Sequence, residues 1–149
     1  MTRALVLYDS QYGNTKMVAE TIAEGIETKG MQADVRHMKE VDPMDVPGYD
    51  VIAIGTPNHL GGPTGRAKKL VKSLKAKDLE RKTFGFFDTC LKGEEGKATR
   101  KLANKLRDIA PGVMIAPELS ILIGGMKGPI VDGELPKCAE FVGGLISSG

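Results

Sequence analysis

The sequence predicts an α/β fold in which a five-stranded parallel sheet carries helices on both faces. Short apolar runs, such as residues 51–54, alternate along the chain with longer segments whose apolar residues recur at helical spacing. Continuous apolar runs are typical of parallel strands, which are buried on both faces, and the alternation with helices indicates crossover connections. The length of 149 residues suits a single domain over residues 1–149.

The first strand, loop and helix lie within residues 4–27. An apolar run over residues 4–8 ends at a polar loop, and Val18, Ala19, Ile22 and Ile26 then define one helical face. The first amides of a helix lack internal partners, and the helix dipole favours an anion at that end. The loop over residues 10–15 supplies hydroxyl groups and a glycine, so it is predicted to hold a phosphate.

The remaining elements are predicted in chain order. Residues 32–38 alternate as a half-exposed edge strand does, and residues 42–48, which contain two prolines, are predicted as a connecting loop. Residues 83–87 form a further buried strand, and residues 113–116 and 119–123 form an interrupted last strand. The intervening helices are indicated by Ala67, Leu70, Val71 and Leu74, by Ala98, Leu102, Leu106 and Ile109, and by Leu135, Cys138, Val142 and Leu145.

Two further loops follow the third and fourth predicted strands. One spans residues 56–63 and contains two glycines, and the other spans residues 88–93. Open α/β sheets bind ligands at the carboxyl ends of their strands. We therefore expect both loops to lie beside the phosphate loop.

The phosphate loop also matches a family signature at every defined position. The matching residues are Val6, Leu7, Tyr8, Ser10, Gly13, Thr15, Ala19 and Ile22. This pattern resembles the flavodoxin signature, and the resemblance extends over the whole chain. It implies a flavodoxin-like three-layer sandwich with strand order 2-1-3-4-5. The absence of a long insertion in the last strand, and the Gly-Pro segments near residues 62–64 and 125–129, are similar to archaeal flavodoxins and to the flavodoxin-like domains of flavodiiron proteins.

The resemblance implies a non-covalent FMN cofactor, with its monophosphate on the first loop and its isoalloxazine ring between the other two. A backbone carbonyl of the second loop can pair with flavin N5 in this family. The implied phosphate residues are Ser10, Gln11, Tyr12, Gly13, Asn14 and Thr15. The implied ring residues are Thr56, Pro57, Asn58, His59, Leu60 and Gly61, and Thr89, Cys90, Leu91, Lys92 and Gly93. No residue is predicted to be catalytic or to bind a metal.

The ring loops depart from the pattern of many flavodoxins, which stack a Trp and a Tyr on the flavin. This chain has no Trp. His59 and Leu60 are the expected replacements on one side. Cys90 has two interpretations, a small apolar contact to the ring or a reactive thiol.

Composition limits the other classes of function. Hydrophobic residues make up 41% of the chain, yet no apolar stretch approaches the ~20 residues that a membrane span requires. Cys90 and Cys138 are far apart and have no metal-binding spacing, which favours free thiols and a cytoplasmic protein. The net charge of +2 is too small to indicate nucleic acid.

Local charge indicates the kind of partner. Arg66, Lys92 and Lys97 lie in or just beyond the ring loops, where acidic flavodoxins carry carboxylates. One cation at roughly 10 Å from a negative charge contributes about 1–2 kcal/mol at an effective dielectric near 20. These cations therefore favour negative charge on a reduced ring and an acidic redox partner, such as a reductase, a ferredoxin or an oxidase. A monomer or weak dimer is expected.

Three functions fit these patterns to different degrees. The first is an electron carrier that shuttles between redox proteins. The alternative is an NAD(P)H-dependent flavin or quinone oxidoreductase, although the Gly-Ser-x-Arg loop of that family is absent. A flavin-free receiver module would need an acidic cluster after the first strand, where Asp9 stands alone. Gly-x-Gly-x-x-Gly and Gly-x-x-x-x-Gly-Lys-Ser/Thr phosphate loops are absent.

Overall fold

The computed structural model describes residues 2–147. Strands and helices alternate from the first strand to the last helix. The strands are β1 (Arg3–Tyr8), β2 (Gln32–His37), β3 (Val51–Pro57), β4 (Thr83–Cys90), β5 (Met114–Ile115) and β6 (Leu119–Leu122). The helices are α1 (Asn14–Thr28), α2 (Gly65–Lys72), α3 (Lys97–Ile109) and α4 (Lys137–Ser147).

All strands of the sheet run parallel, in the order β2-β1-β3-β4-β5, and β6 pairs with β4 beyond β5. β5 and β6 therefore occupy one position in the sheet, as the interrupted last strand in the sequence predicts. The predicted order 2-1-3-4-5 is confirmed. Since β1 and β3 are neighbours, the loops that follow them emerge side by side at the carboxyl edge.

Each face of the sheet has its own apolar core because neighbouring strand residues point to opposite faces. Val6 packs with α1 and α4 through residues such as Ile22 and Val142. Leu7 belongs to the other core, where Leu70 and Leu102 represent α2 and α3. The result is three layers, with α1 and α4 on one side and α2 and α3 on the other.

The structure corrects several predicted boundaries. β3 continues to Pro57 and β4 to Cys90, so Thr56 and residues 88–90 belong to strands and not to loops. The extension of β4 is explained by β6, which pairs with it from Phe87 to Cys90.

The other corrections concern helices. The predicted loop at residues 42–48 is largely a 3-10 helix over Pro43–Gly48, because the Asp42 side chain accepts a hydrogen bond from the Met44 amide. α4 begins at Lys137, two residues after Leu135. Within residues 2–147, no helix has both the length and the apolar character needed to cross a membrane.

Candidate functional site

The phosphate loop is a tight turn that leaves the start of α1 open. Ser10 Oγ accepts a hydrogen bond of 3.0 Å from the Gly13 amide, and Gly13 has a φ of 90°. The first helical bond of α1 runs from the Met17 amide to the Gly13 carbonyl, at 3.1 Å. No side chain in the described part of the chain caps this helix. Its first amides are thus available to an external anion.

Two buried threonines connect the phosphate loop to β4. Thr15 Oγ1 and Thr89 Oγ1 lie 2.9 Å apart, and either hydroxyl can donate. Both side chains are almost fully buried. One hydroxyl proton is used within the pair, so the other proton remains available to a further acceptor.

Hydrogen bonds of Asn58 fix the conformation of the second loop, one to β4 and one within the loop. The Asn58 amide donates to the Thr89 carbonyl at 2.9 Å, and Asn58 Oδ1 accepts from the Gly61 amide at 3.0 Å. His59 and Gly62 form an antiparallel bridge. Leu60 stands at the tip with a φ of 51° and its side chain fully exposed. The rigid turn therefore presents an apolar side chain to solvent.

A buried carboxylate just before the first loop binds the start of α2, directly after the second loop. Asp9 accepts from Thr64 Oγ1 at 2.7 Å and from Arg66 Nη1 at 2.9 Å. His37 Nε2 lies 3.6 Å from Asp9 Oδ1. His37 Nδ1 accepts from the Lys39 amide, which leaves Nε2 as the protonated nitrogen that faces Asp9. The His37 ring also packs edge-on against Tyr8, with the ring centroids 5.1 Å apart.

The last residue of β4, just before the third loop, carries a protonated thiol. Cys90 is buried, and burial, together with the Asp88 carboxylate, raises the pKa of its thiol to about 12. Reactivity depends on the thiolate. The geometry therefore favours the apolar-contact interpretation of Cys90. Lys92 and Gly93 follow on the exposed side of the turn.

Asp88 lies beneath this loop with no exposed surface. Burial raises its pKa to about 6, although the Ser120 hydroxyl and the Thr99 amide act in the opposite direction. Within the described residues, neither carboxylate oxygen reaches a partner in hydrogen-bond geometry. Desolvation is therefore the largest influence on the pKa of Asp88.

A cleft of about 60 Å³ lies where the three loops meet. Most of the predicted site residues line it: Ser10, Gln11, Tyr12, Asn14, Thr15, Pro57, Asn58, His59, Thr89, Cys90 and Leu91. The lining does not include Gly13, Thr56, Leu60, Gly61, Lys92 or Gly93. Pockets that bind drug-sized ligands usually measure roughly 300–1,000 Å³, so the cleft would enclose only part of a cofactor as large as FMN.

The last loop also contributes to the cleft, which the sequence did not predict. Ile123 and Met126 also line the cleft, and Lys127 Nζ lies 5.9 Å from the centre of the Tyr12 ring. A side chain at Gly128 would collide with the Asn14 amide group, so this loop lies against the start of α1. The sequence contains one indication of this role. Residues 124–133 follow the last predicted strand, so they lie at the same carboxyl edge of the sheet as the other loops.

These features define a doubly wound protein that binds a phosphorylated ligand at the carboxyl edge of its central strands. The chain belongs to the flavodoxin family, whose family model, "Flavodoxin", matches residues 6–114. Members of this family bind FMN non-covalently, so the predicted family and cofactor are confirmed. The uncapped start of α1 and the buried hydroxyl pair are donors that suit the phosphate of FMN.

Individual relatives agree with this assignment. The NAD(P)H dehydrogenase (quinone) of Gluconacetobacter diazotrophicus is 36% identical over 81 residues, covering 41% of this chain and 41% of that protein. The flavodoxin of Aquifex aeolicus is 39% identical over 62 residues, covering 41% of this chain and 34% of that protein. The matches thus span less than half the length of these relatives. The solved structure of a flavodoxin from the domain Archaea superposes with a TM-score of 0.79 at 25% identity, covering 95% of this chain and 94% of that one.

The hydroxyl pair gives a first test of the site. We expect Thr15→Val to weaken FMN binding at least about 10-fold, because a hydrogen bond to a charged group contributes roughly 1.5–3 kcal/mol. Thr89→Val should weaken it less, because valine keeps the shape of the side chain beside the ring and removes only the hydroxyl that orients Thr15. Calorimetric titration of FMN into both single variants and the double variant measures these effects.

The double variant distinguishes a linked pair from two separate contacts. If Thr89 acts only through Thr15, the double variant will bind FMN as weakly as Thr15→Val alone. If the losses in FMN-binding free energy of the two single variants add in full in the double variant, Thr15 and Thr89 act as separate contacts and the linked pair is contradicted.

Proposed function

We propose that this chain is an electron carrier, a single flavodoxin-like domain over residues 1–149 that shuttles electrons between redox proteins through non-covalent FMN. The observation that supports this most strongly is the open start of α1 beside the buried pair of Thr15 and Thr89. Amides and hydroxyls of this kind bind a phosphate ester without reacting with it. They suit a tethered cofactor better than phosphoryl transfer.

In this proposal the first loop holds the phosphate and the other two loops hold the ring. The phosphate donors are the residues of the first loop, Ser10, Gln11, Tyr12, Gly13, Asn14 and Thr15. The ring contacts come from Thr56, Pro57, Asn58, His59, Leu60 and Gly61, and from Thr89, Cys90, Leu91, Lys92 and Gly93. Bound FMN supplies the electron-transfer chemistry, and the protein supplies orientation and electrostatics.

Two features support the proposed roles of the loops. The hydrogen bonds of Asn58 fix the second loop, so its backbone is ordered before any ligand arrives. Asp9, just before the phosphate loop, binds Thr64 and Arg66 at the start of α2, directly after the second loop. An ordered site loses less conformational entropy on binding and so holds its ligand more tightly.

The alternative is an NAD(P)H-dependent flavin or quinone oxidoreductase, which the similarity to the quinone dehydrogenase favours. The absence of the Gly-Ser-x-Arg phosphate loop of that reductase family favours the carrier.

Turnover distinguishes the two functions. The FMN-loaded protein is mixed with NADH or NADPH and a quinone, and consumption of the nicotinamide is followed by absorbance. The carrier should show no sustained turnover until a separate reductase is added. Rapid turnover by the protein alone would overturn the carrier in favour of the enzyme.

The proposed partners are acidic redox proteins in the cytoplasm, such as a reductase, a ferredoxin or an oxidase, and the carrier acts as a monomer or weak dimer. Arg66, Lys92 and Lys97 are all exposed near the ring loops. Opposite charge on a partner would increase the rate of encounter.

A further inference from the structure

The charge of this protein is divided between its two helical layers. α2 and α3 together carry nine Lys and Arg side chains and one carboxylate, Asp108, a net charge of +8. α1 and α4 carry two lysines and four glutamates, a net charge of −2. The overall charge of +2 conceals this separation.

Most of the cations in the α2–α3 layer have no carboxylate partner. Arg66 pairs with Asp9, and Lys97 pairs with Glu94. Among the described residues, the other cations of this layer form no ion pair: Lys68, Lys69, Lys72, Arg100, Lys101, Lys105 and Arg107. All except the half-buried Lys105 are exposed. The α2–α3 layer therefore presents a positive electrostatic potential to solvent.

This basic layer reaches the edge of the flavin site. Lys101 Nζ donates to the Gly61 carbonyl at 2.9 Å, which joins α3 to the second loop. α3 itself begins at Lys97, just after the third loop. A partner held on these helices would thus be adjacent to the cofactor loops.

An apolar rim adjoins the basic layer. Three large exposed hydrophobic side chains line the cleft, Tyr12, Leu91 and Met126, and the exposed Leu60 stands at the tip of the second loop. Specific protein interfaces combine an apolar centre with a charged and polar surround. Nucleic acid is bound chiefly through its phosphates, so it would leave this rim without a role.

We propose that the basic layer formed by α2 and α3, together with the apolar rim, is the docking surface for an acidic redox protein. The partner places carboxylates over the two helices and an apolar patch over the cofactor loops, while the α1–α4 layer stays free. This inference rests on the proposed carrier function and adds the surface and orientation of the complex.

Charge reversal on the basic layer, compared with charge reversal at two positions outside it, tests the inference. One variant carries Lys68→Glu and Arg107→Glu, and the matched control carries Lys29→Glu and Arg36→Glu, which lie at the end of α1 and on β2. Both change the net charge by the same amount, and none of these residues belongs to the cofactor site. The probe is an acidic plant-type ferredoxin, reduced photochemically and mixed with the oxidised, FMN-loaded protein in a stopped-flow instrument.

The basic-layer variant should transfer electrons from ferredoxin about 10-fold more slowly at low salt, because electrostatic steering changes association rates by roughly 10–10³-fold. The control should stay within about twofold of the unmodified protein. Rising salt should slow the unmodified protein and remove most of the difference. Direct photoreduction of the bound FMN by free deazaflavin should be equal in all three proteins.

The contrary outcomes separate the docking surface from the carrier function. Equal ferredoxin rates in all three proteins, with no salt dependence, would overturn the docking surface and leave the carrier intact. A protein that takes electrons from deazaflavin but from no protein probe would overturn the carrier itself. Tight, salt-sensitive binding of a DNA duplex that the basic-layer variant abolishes, without any change in ferredoxin rate, would assign the layer to nucleic acid instead.

Discussion

The variant Gly13→Ala is expected to lower FMN affinity at least about 10-fold, whereas Gly30→Ala should leave it unchanged. Both glycines have a φ of 90°, and a Cβ at either position would meet no atom within 4 Å. They flank the two ends of α1. A left-handed backbone costs a residue with a Cβ roughly 1–2 kcal/mol. At Gly13 that strain falls on the turn that orients the first amides of α1.

Gly13→Ala and Gly30→Ala form a matched pair because each substitution should lower the unfolding free energy by the same amount. Urea unfolding of the FMN-free variants should show similar losses in unfolding free energy, of about 1–2 kcal/mol each. Calorimetry with FMN should then separate them. Equal affinities for FMN in the two variants would show that the turn at Gly13 does not shape the phosphate site.

The variant Asp88→Asn is expected to stabilise the FMN-free protein at pH 7 by as much as about 3 kcal/mol and to have little effect at pH 4. The pKa of Asp88 is raised from 3.8 to about 6 in the folded protein. The folded state therefore binds more protons than the unfolded state between these values. The contribution of Asp88 to the unfolding free energy is therefore highest below pH 3.8, falls as the pH rises towards 6, and is constant above that. One pKa unit corresponds to about 1.4 kcal/mol.

Asparagine keeps an acceptor oxygen beside the start of α3 and removes the buried charge. The measurement is the difference in unfolding free energy between the variant and the unmodified protein, by urea titration at pH 4 and pH 7. Asp108→Asn, on the exposed side of α3, is the control and should show no such trend. A difference for Asp88→Asn that does not change with pH would contradict the proposed cost of ionisation.

The sequence was sufficient for the succession of strands and helices and for the position of the phosphate loop, whereas the strand order was implied by the resemblance to flavodoxins. Local periodicity distinguishes strands from helices, and the signature from Val6 to Ile22 identifies the loop between them. The cofactor edge then follows from topology, because parallel strands end together. These conclusions depend on residues that are close in the chain.

Features that depend on residues distant in the chain were not predictable. Asp9 appears isolated in the sequence, yet in the structure it binds Thr64 and Arg66. β4 continues through Asp88 to Cys90 only because β6 pairs with it. The charge separation between the helical layers was likewise hidden, since a net charge of +2 does not say which helices pack side by side.

The most direct test of the central claim compares FMN with riboflavin, which lacks the phosphate. The claim is that the open start of α1 and the Thr15 hydroxyl bind the phosphate and so hold the ring between the next two loops. Calorimetric titration of the FMN-free protein should give one FMN per chain and an affinity for riboflavin at least about 100-fold lower, since two hydrogen bonds to a charged group contribute roughly 3 kcal/mol or more. Equal affinities for the two flavins, or no binding of FMN, would contradict it.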